Sequence, residues 1–126
     1  MKRQIFEITV SGKNHRIGEV NKWCCPVSPY AIAGKLPIDD GDETVISNGT
    51  ITIVLDYPLN IKYHFLVNNP NGSWSRNNLR NMIYDCYKSV LRDMWGHCIR
   101  DLVIERVKVS NHNVKQIPMI KLDIGS

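Results

Sequence analysis

The sequence lacks several features that would assign it to a functional class at once. It has no apolar run near the roughly 20 residues that a membrane-spanning helix needs, so we expect no membrane insertion. Its four cysteines lack the regular spacing of a disulfide framework, and we expect free thiols in a reducing compartment. Its eight glycines are scattered, and none forms the glycine-rich strand-to-helix turn that binds nucleotide phosphates.

The overall composition of the chain is typical of one globular domain. The 126 residues, 43% hydrophobic and 22% charged, are enough for one hydrophobic core and too few for two independent ones. We predict a single domain over residues 1–126. Its parts are an N-terminal hairpin in 1–25, a long loop rich in Pro, Gly and Asp in 26–44, and a core in 45–126.

The N-terminal part predicts a hairpin and then a loop. The weak alternation in Ile5–Val10 and the run Arg16–Trp23 predict two strands joined by a turn at Ser11–Asn14. Between residues 26 and 44, prolines, glycines and aspartates resist both helix and sheet. We predict a loop there, and it is a candidate for binding a partner.

The middle of the chain predicts a second hairpin. Val45-Ile46 and Ile51–Leu55 flank Asn48-Gly49, a pair that suits the positive φ angles of a tight turn. The next run, Ile61–Val67, has apolar residues at its odd positions. That alternation predicts a strand in a sheet with one buried face.

One long amphipathic helix is predicted for residues 75–95. Ser75 can cap its N-terminus, and Trp95-Gly96 would end it. Its apolar residues recur every three or four positions, so they form one broad stripe that should pack on the buried face of the sheet. They are Leu79, Met82, Ile83, Cys86, Tyr87, Val90, Leu91 and Met94.

The C-terminal part predicts two more strands and completes the fold class. Leu102–Val109 and Val114–Ile124 should pair around a turn at Ser110–Asn113, with Pro118 confining the last strand to an edge or a bulge. The class is α+β: a mostly antiparallel sheet with one main amphipathic helix packed on one face. Uncovered sheet edges can pair between copies, so we also expect a homodimer.

Residues that suit catalysis or metal binding are few. A zinc site would use Cys86, His97 and Cys98 with Cys24 or Cys25. These ligand types suit zinc, but they lack paired ligand spacing. Cys98 or a serine with His97 is a second possibility, a nucleophile and its base, although adjacent side chains rarely meet in hydrogen-bonding geometry.

Structural roles explain the same residues more simply. Cys86 lies on the apolar stripe, where a thiol behaves as a small core side chain. Trp95 should seal the core, and His97 should bond to Asp101 or to a backbone carbonyl. We therefore predict a protein that is not an enzyme, with no catalytic residue, no metal site and no cofactor.

Charge provides the best candidate for a binding site. The net charge of +4 favours acidic partners. On the predicted helix, four cations and a tyrosine recur every four positions, which sets like charges side by side at no benefit to folding. They are Arg76, Arg80, Tyr84, Lys88 and Arg92. This helix stripe could bind nucleic-acid phosphates without reading sequence, or it could be an ordinary solvated face.

Three short patterns lie between Thr44 and Ser126. They are Ile46-Ser47-Asn48-Gly49-Thr50-Ile51, then Asn71-Gly72 before a helix, then Trp95-Gly96-His97 with Asp101-Leu102. Together they resemble a family of short proteins from the marseilleviruses, large DNA viruses of amoebae. Cys98 stands where an acidic residue is expected, and the first forty residues match nothing in the family. The resemblance implies a virion-associated protein without established catalytic residues, found in the virion and in the host cytoplasm or nucleus.

The combined hypothesis is a non-enzymatic viral structural or virion-associated protein, a basic homodimer that binds DNA or other nucleic acid without sequence preference. One alternative is a module that binds a host or capsid protein through the loop around Tyr30 and Leu36. A second alternative is a cysteine- or zinc-dependent hydrolase, which requires bound zinc or a thiol that reacts near neutral pH.

Overall fold

The structure is a computed structural model that describes residues 3–110 and 117–126. Within them, nine strands follow in chain order: β1 Arg3–Phe6, β2 Thr9–Asn14, β3 Glu19–Pro26, β4 Thr44–Ile46, β5 Thr50–Leu55, β6 Tyr63–Asn68, β7 Trp74–Ser75, β8 Val103–Ser110 and β9 Met119–Gly125. Helix α1 covers Arg76–Ser89. Short 3₁₀ turns occur at Ala33–Lys35, Leu91–Asp93 and Ile99–Asp101.

Seven strands form one large sheet. Its order is β2-β3-β8-β9-β5-β6, and β1 pairs with the end of β8 that β3 leaves free. The β5–β9 pair is parallel and the other pairs are antiparallel. Strands β4 and β7 form a separate two-stranded sheet. The predicted α+β class, with a mostly antiparallel sheet and one main helix, is confirmed.

Helix α1 packs on one face of the large sheet. Leu79, Ile83 and Tyr87 on the helix are fully buried and share one core with Ile53 and Ile120 on β5 and β9. Burying such side chains contributes about 1.5–3 kcal/mol each relative to leaving them exposed. No helix in the described part of the chain is long and apolar enough to cross a membrane.

The start of α1 agrees with the prediction and its end does not. Ser75 caps the helix: its Oγ accepts a hydrogen bond from the Asn78 backbone N–H at 3.1 Å. The helix ends at Ser89, six residues before the predicted end at residue 95. Asp93 explains the early end, because its carboxylate accepts hydrogen bonds from the Asn60 side chain and the Ile61 backbone, and that long-range contact replaces the last helical turns.

The predicted N-terminal hairpin is wrong in its turn and in one strand. Residues Ser11–Asn14 belong to β2, and the turn to β3 lies at residues 15–18, where Gly18 has a φ of 68°. Ile5 and Phe6 belong to β1 and pair with β8. The predicted loop after β3 contains the turn Ala33–Lys35, turn-like segments and one isolated β-bridge, which pairs Ile38 with Val10, before β4 begins.

The second predicted hairpin is also wrong. Strand β4 pairs with β7, whereas β5 lies between β9 and β6 in the large sheet. Gly49 does not have a positive φ, and its carbonyl accepts hydrogen bonds from the Trp74 indole and the Asn69 backbone, both at 2.9 Å. The Asn48-Gly49 segment therefore crosses between two sheets. The alternation predicted for residues 61–67 holds in β6, where Tyr63, Phe65 and Val67 are the less exposed residues, but Ile61 precedes the strand and is 58% exposed.

The C-terminal strands pair as predicted, but β9 is not an edge strand. It lies between β8 and β5, and Pro118 precedes it, with its carbonyl accepting a hydrogen bond from the Thr52 backbone at 2.9 Å. The edge strands of the main sheet path are β2 and β6. The predicted turn at residues 111–113 and the predicted strand start at 114–116 lie outside the described residues.

Candidate nucleic-acid interface

The first arginine of the helix stripe is part of the folded framework. The Arg76 Nε donates to the Glu7 carbonyl at 3.0 Å, and its Nη1 lies 3.1 Å from a carboxylate oxygen of Glu43. Its guanidinium also lies 5.7 Å from the centre of the Phe6 ring. Only 16% of the side chain is exposed. Arg76 thus connects the start of α1 to the segment after β1 and has little surface left for a ligand.

The second arginine is buried. Arg80 is 9% exposed, its Nε donates to Asn81, and its Nη1 has no hydrogen-bond partner among the described residues. The described residues also place no carboxylate within 4.0 Å of it. A buried cation without a counter-charge lowers stability, and it cannot reach a phosphate at the surface.

The rest of the helix stripe is split. Tyr84 packs edge-on against Tyr30, with the ring centres 5.9 Å apart, and the Lys88 Nζ lies 5.8 Å from the Tyr84 ring. Lys88 and Arg92 are exposed, but Arg92 lies on the 3₁₀ turn beyond the end of α1. The five predicted site residues therefore do not form one open basic surface.

The opposite face of the large sheet carries an open basic surface. One row of directly paired residues crosses five strands on that face: Ile5, Lys108, Lys121, Val54 and His64. Ile5, His64 and Lys121 are exposed, and α1 packs on the other face. Arg106 and Lys62 lie beside this row. We call the surface formed by Lys62, Arg106, Lys108 and Lys121 the open sheet face.

The Asp123 carboxylate pairs with two cations of the open sheet face. Asp123 lies 2.9 Å from Lys108 and 2.8 Å from Arg106, and hydrogen bonding from Lys108 with the attraction of both cations lowers the pKa of Asp123. Lys62 and Lys121 form no ion pair within 4.0 Å among residues 3–110 and 117–126. Their side chains line a shallow cleft of about 150 Å³ together with Asp56.

Two of these cations are placed unfavourably for the fold. Lys108 and Lys121 are directly opposite each other on neighbouring strands, and like charges in that position lower stability. Sequence reasoning missed this surface, because Arg106 and Lys108 are spaced by two residues, as expected of any strand with one solvated side. Only the β8–β9 register shows that Lys121 faces Lys108.

An exposed aromatic cluster lies at the end of the sheet where β5 and β9 stop. The Tyr57 hydroxyl is 2.8 Å from Nε2 of His97 and 3.1 Å from Oγ of Ser126. The Tyr57 and Trp95 rings meet edge to face, with centres 5.9 Å apart. Two predictions are corrected here. Trp95 is 49% exposed and does not seal the core, and His97 bonds to Tyr57 in place of Asp101 or a carbonyl.

The cysteines are not gathered into a reactive site. Burial raises the pKa of the Cys25 thiol to about 11 and that of the Cys86 thiol to about 12. Cys24 and Cys98 are exposed. Within the described ranges, no group of three or more His, Cys, Asp or Glu side chains is placed to hold a metal ion. The candidate zinc ligands are therefore not brought together.

Comparison with known proteins adds no relative. No protein-family model, no curated protein and no solved structure matches this chain.

Proposed function

We propose that this protein is a non-catalytic nucleic-acid-binding protein, and that its open sheet face contacts phosphates without reading base sequence. The observation that carries the proposal is the pair Lys108 and Lys121, set opposite each other on a solvated sheet face. Evenly spaced phosphates would supply the negative charge that Lys121 and Lys62 lack within the described residues. The net charge of +4 supports the same partner.

The geometry favours the sheet over the helix as the binding surface. On α1, Arg76 and Arg80 are taken up by the fold, which leaves Lys88 and Arg92 as the exposed cations of the helix stripe. On the open sheet face, Asp123 neutralises part of the charge of Arg106 and Lys108 and leaves Lys121 unpaired among the described residues. A phosphate backbone laid across β8 and β9 would contact these side chains in succession.

The test measures affinity for random-sequence single-stranded DNA by fluorescence anisotropy at several salt concentrations. Each phosphate contact on a single strand contributes about 0.7 to the slope of log affinity against log salt. We expect the double variant K108Q/K121Q to lower that slope by about 1.4. The matched control K88Q/R92Q removes the same charge from the helix side and should leave the slope unchanged.

Two outcomes would overturn the proposal. One is the absence of any binding at low salt. The other is an equal loss of slope in both double variants, because that result would trace binding to net charge and not to one surface. Thermal unfolding of each variant verifies that the exposed substitutions leave the fold intact.

A second candidate function rests on an apolar groove beside the long loop. The groove, about 460 Å³, is lined by Trp23, Cys24, Pro26, Ile32, Ala33, Leu36 and Val103. Ile32 is 92% exposed, and no lining residue is acidic. The exposed Lys35 lies next to the lining residue Leu36 in sequence. Such a surface fits an acidic protein segment that bears large apolar side chains.

The groove can be tested with a synthetic peptide in which Leu and Trp alternate with Glu. We expect the peptide to shift amide resonances of β3 and of the Ala33–Lys35 turn, and I32D to abolish the shifts. The matched variant I61D, at another exposed isoleucine, should bind the peptide as the unaltered protein does. Shifts that persist in I32D would overturn this candidate.

The resemblance to marseillevirus proteins supports a place in the virion for this non-catalytic protein. There, abundance and contact with the genome would be its mode of action. The homodimer expected from the open sheet edges stays a prediction.

A further inference from the structure

The aromatic cluster of Tyr57, Trp95 and His97 differs from a buried core cluster. About half of the Trp95 surface and 38% of the Tyr57 surface are exposed. The ring planes meet at 87° for Tyr57 and Trp95 and at 52° for Trp95 and His97, so the rings are not stacked face to face. Each ring contacts its neighbours over a limited area, and apolar indole surface remains open to solvent.

The cluster is held in place by backbone and side-chain contacts. The Trp95 backbone N–H donates to the Pro58 carbonyl at 3.0 Å, and Met94 forms a β-bridge with Leu59. Gly96 has a φ of 68°, a left-handed conformation that favours glycine, and it separates the Trp95 and His97 rings along the chain. An exposed tryptophan on a fixed backbone loses little conformational entropy when a ligand packs on it.

The cluster also adjoins the cations of the open sheet face. Tyr57 follows Asp56, which lines the cleft shared with Lys62, Lys108 and Lys121. Ser126, bonded to Tyr57, follows β9, the strand that carries Lys121. Tyr57 and Ser126 thus lie just beyond the ends of β5 and β9, and Tyr57 connects Trp95 to the end of the strand whose next residue, Asp56, lines the lysine cleft.

We propose that Trp95, supported by Tyr57 and His97, is a stacking platform for an unpaired base, and that the ligand of the open sheet face is single-stranded nucleic acid. This inference rests on the proposed function. A duplex keeps its bases stacked inside and can offer the lysines only its phosphates, whereas a single strand can present a base to Trp95 at the same time.

The experiment compares two probes of about 12 nucleotides, an oligo(dT) and an abasic strand with the same number of phosphates. For the unaltered protein, we expect tighter binding of oligo(dT) at every salt concentration. Trp95→Ala should lower affinity for oligo(dT) by between about 5- and 150-fold and leave the affinity for the abasic strand unchanged. Trp95→Phe keeps a ring and should recover most of the loss.

The test includes a control variant and three results that would contradict the proposal in different ways. Trp23→Ala removes another exposed tryptophan, 47% exposed and on the apolar groove, and should change neither affinity. If neither probe binds, the proposed function itself fails. Equal affinity of the unaltered protein for both probes would overturn the stacking platform and leave phosphate binding in place. A change of oligomeric mass in Trp95→Ala, with an unchanged ratio of the two affinities, would assign the cluster to self-association and also overturn it.

The comparison of the two probes in the unaltered protein needs no variant. Equal affinities would therefore overturn the stacking platform even if Trp95→Ala fails to fold. Tyr57→Phe provides a milder variant. It keeps the ring and removes the hydroxyl that meets His97 and Ser126, so it should weaken oligo(dT) binding less than Trp95→Ala does.

Discussion

The arginines of α1 and the lysines of the open sheet face differ in what surrounds their charges. Arg76 has a carbonyl, a carboxylate and an aromatic ring around its guanidinium, and Arg80 is buried. Lys62 and Lys121 are exposed and lack an ion pair within the described part of the chain. The charge of Arg76 is therefore satisfied by the fold on the helix side of the sheet, whereas Lys62 and Lys121 have no charged partner on the other side within the described residues.

The largest effect that tests this contrast should come from Arg76→Ala. The substitution removes a hydrogen bond to the Glu7 carbonyl and an ion pair with Glu43, so we expect the free energy of unfolding to fall by about 2 kcal/mol. Lys121→Ala removes an equal charge from the open sheet face and should change it by less than about 0.5 kcal/mol. Urea unfolding of the two variants measures both values. Equal losses would erase the contrast between the two surfaces.

Arg80→Leu should change stability in the other direction. The substitution replaces a buried guanidinium, whose Nη1 has no partner among the described residues, with an apolar side chain. We expect stability to rise by about 1 kcal/mol, with an increase of a few degrees in Tm. Affinity for nucleic acid should not change. A lower Tm would mean that the guanidinium has a favourable partner and that its burial supports the fold.

Local patterns in the sequence predicted much of the fold. The Ser75 cap, the buried apolar positions of α1 and the alternation in β6 each depend on neighbours a few residues apart. The pairing of β8 with β9 also followed from two apolar runs close in sequence. Such features need no knowledge of what the rest of the chain does.

The errors arose where distant partners decide the structure. Strand β4 pairs with β7, about thirty residues away, because Trp74 buries its ring and donates to the Gly49 carbonyl. Distant partners also divide the helix stripe, so that its residues do not form one open surface. Glu43 and Glu7, which take up Arg76, lie 33 and 69 residues before it. Periodicity identifies which side of an element a residue is on, but it does not identify what covers that side.

Asp123 provides the smallest and most specific comparison, because it is the carboxylate that partly neutralises the open sheet face. Its pKa is lowered in the folded protein by hydrogen bonding from Lys108 and by the charges of Lys108 and Arg106. Its contribution to stability is therefore present above the ordinary pKa of aspartate, and it is lost as pH falls through the lowered folded pKa, below about pH 4. Since the pair is partly exposed, the contribution should be less than about 1 kcal/mol.

Asp123→Asn separates this contribution to folding from the effect on binding. At pH 7 the variant should be slightly less stable than the unaltered protein, and the difference in urea midpoint should shrink as pH falls below about 4 and the Asp123 carboxylate takes up a proton. The affinity for nucleic acid should change in the opposite direction to the stability. Lys108 and Arg106 lose their shared counter-charge, so affinity for single-stranded DNA should rise and its salt dependence should steepen. A variant that loses stability without gaining affinity would place the bound strand away from β8 and β9.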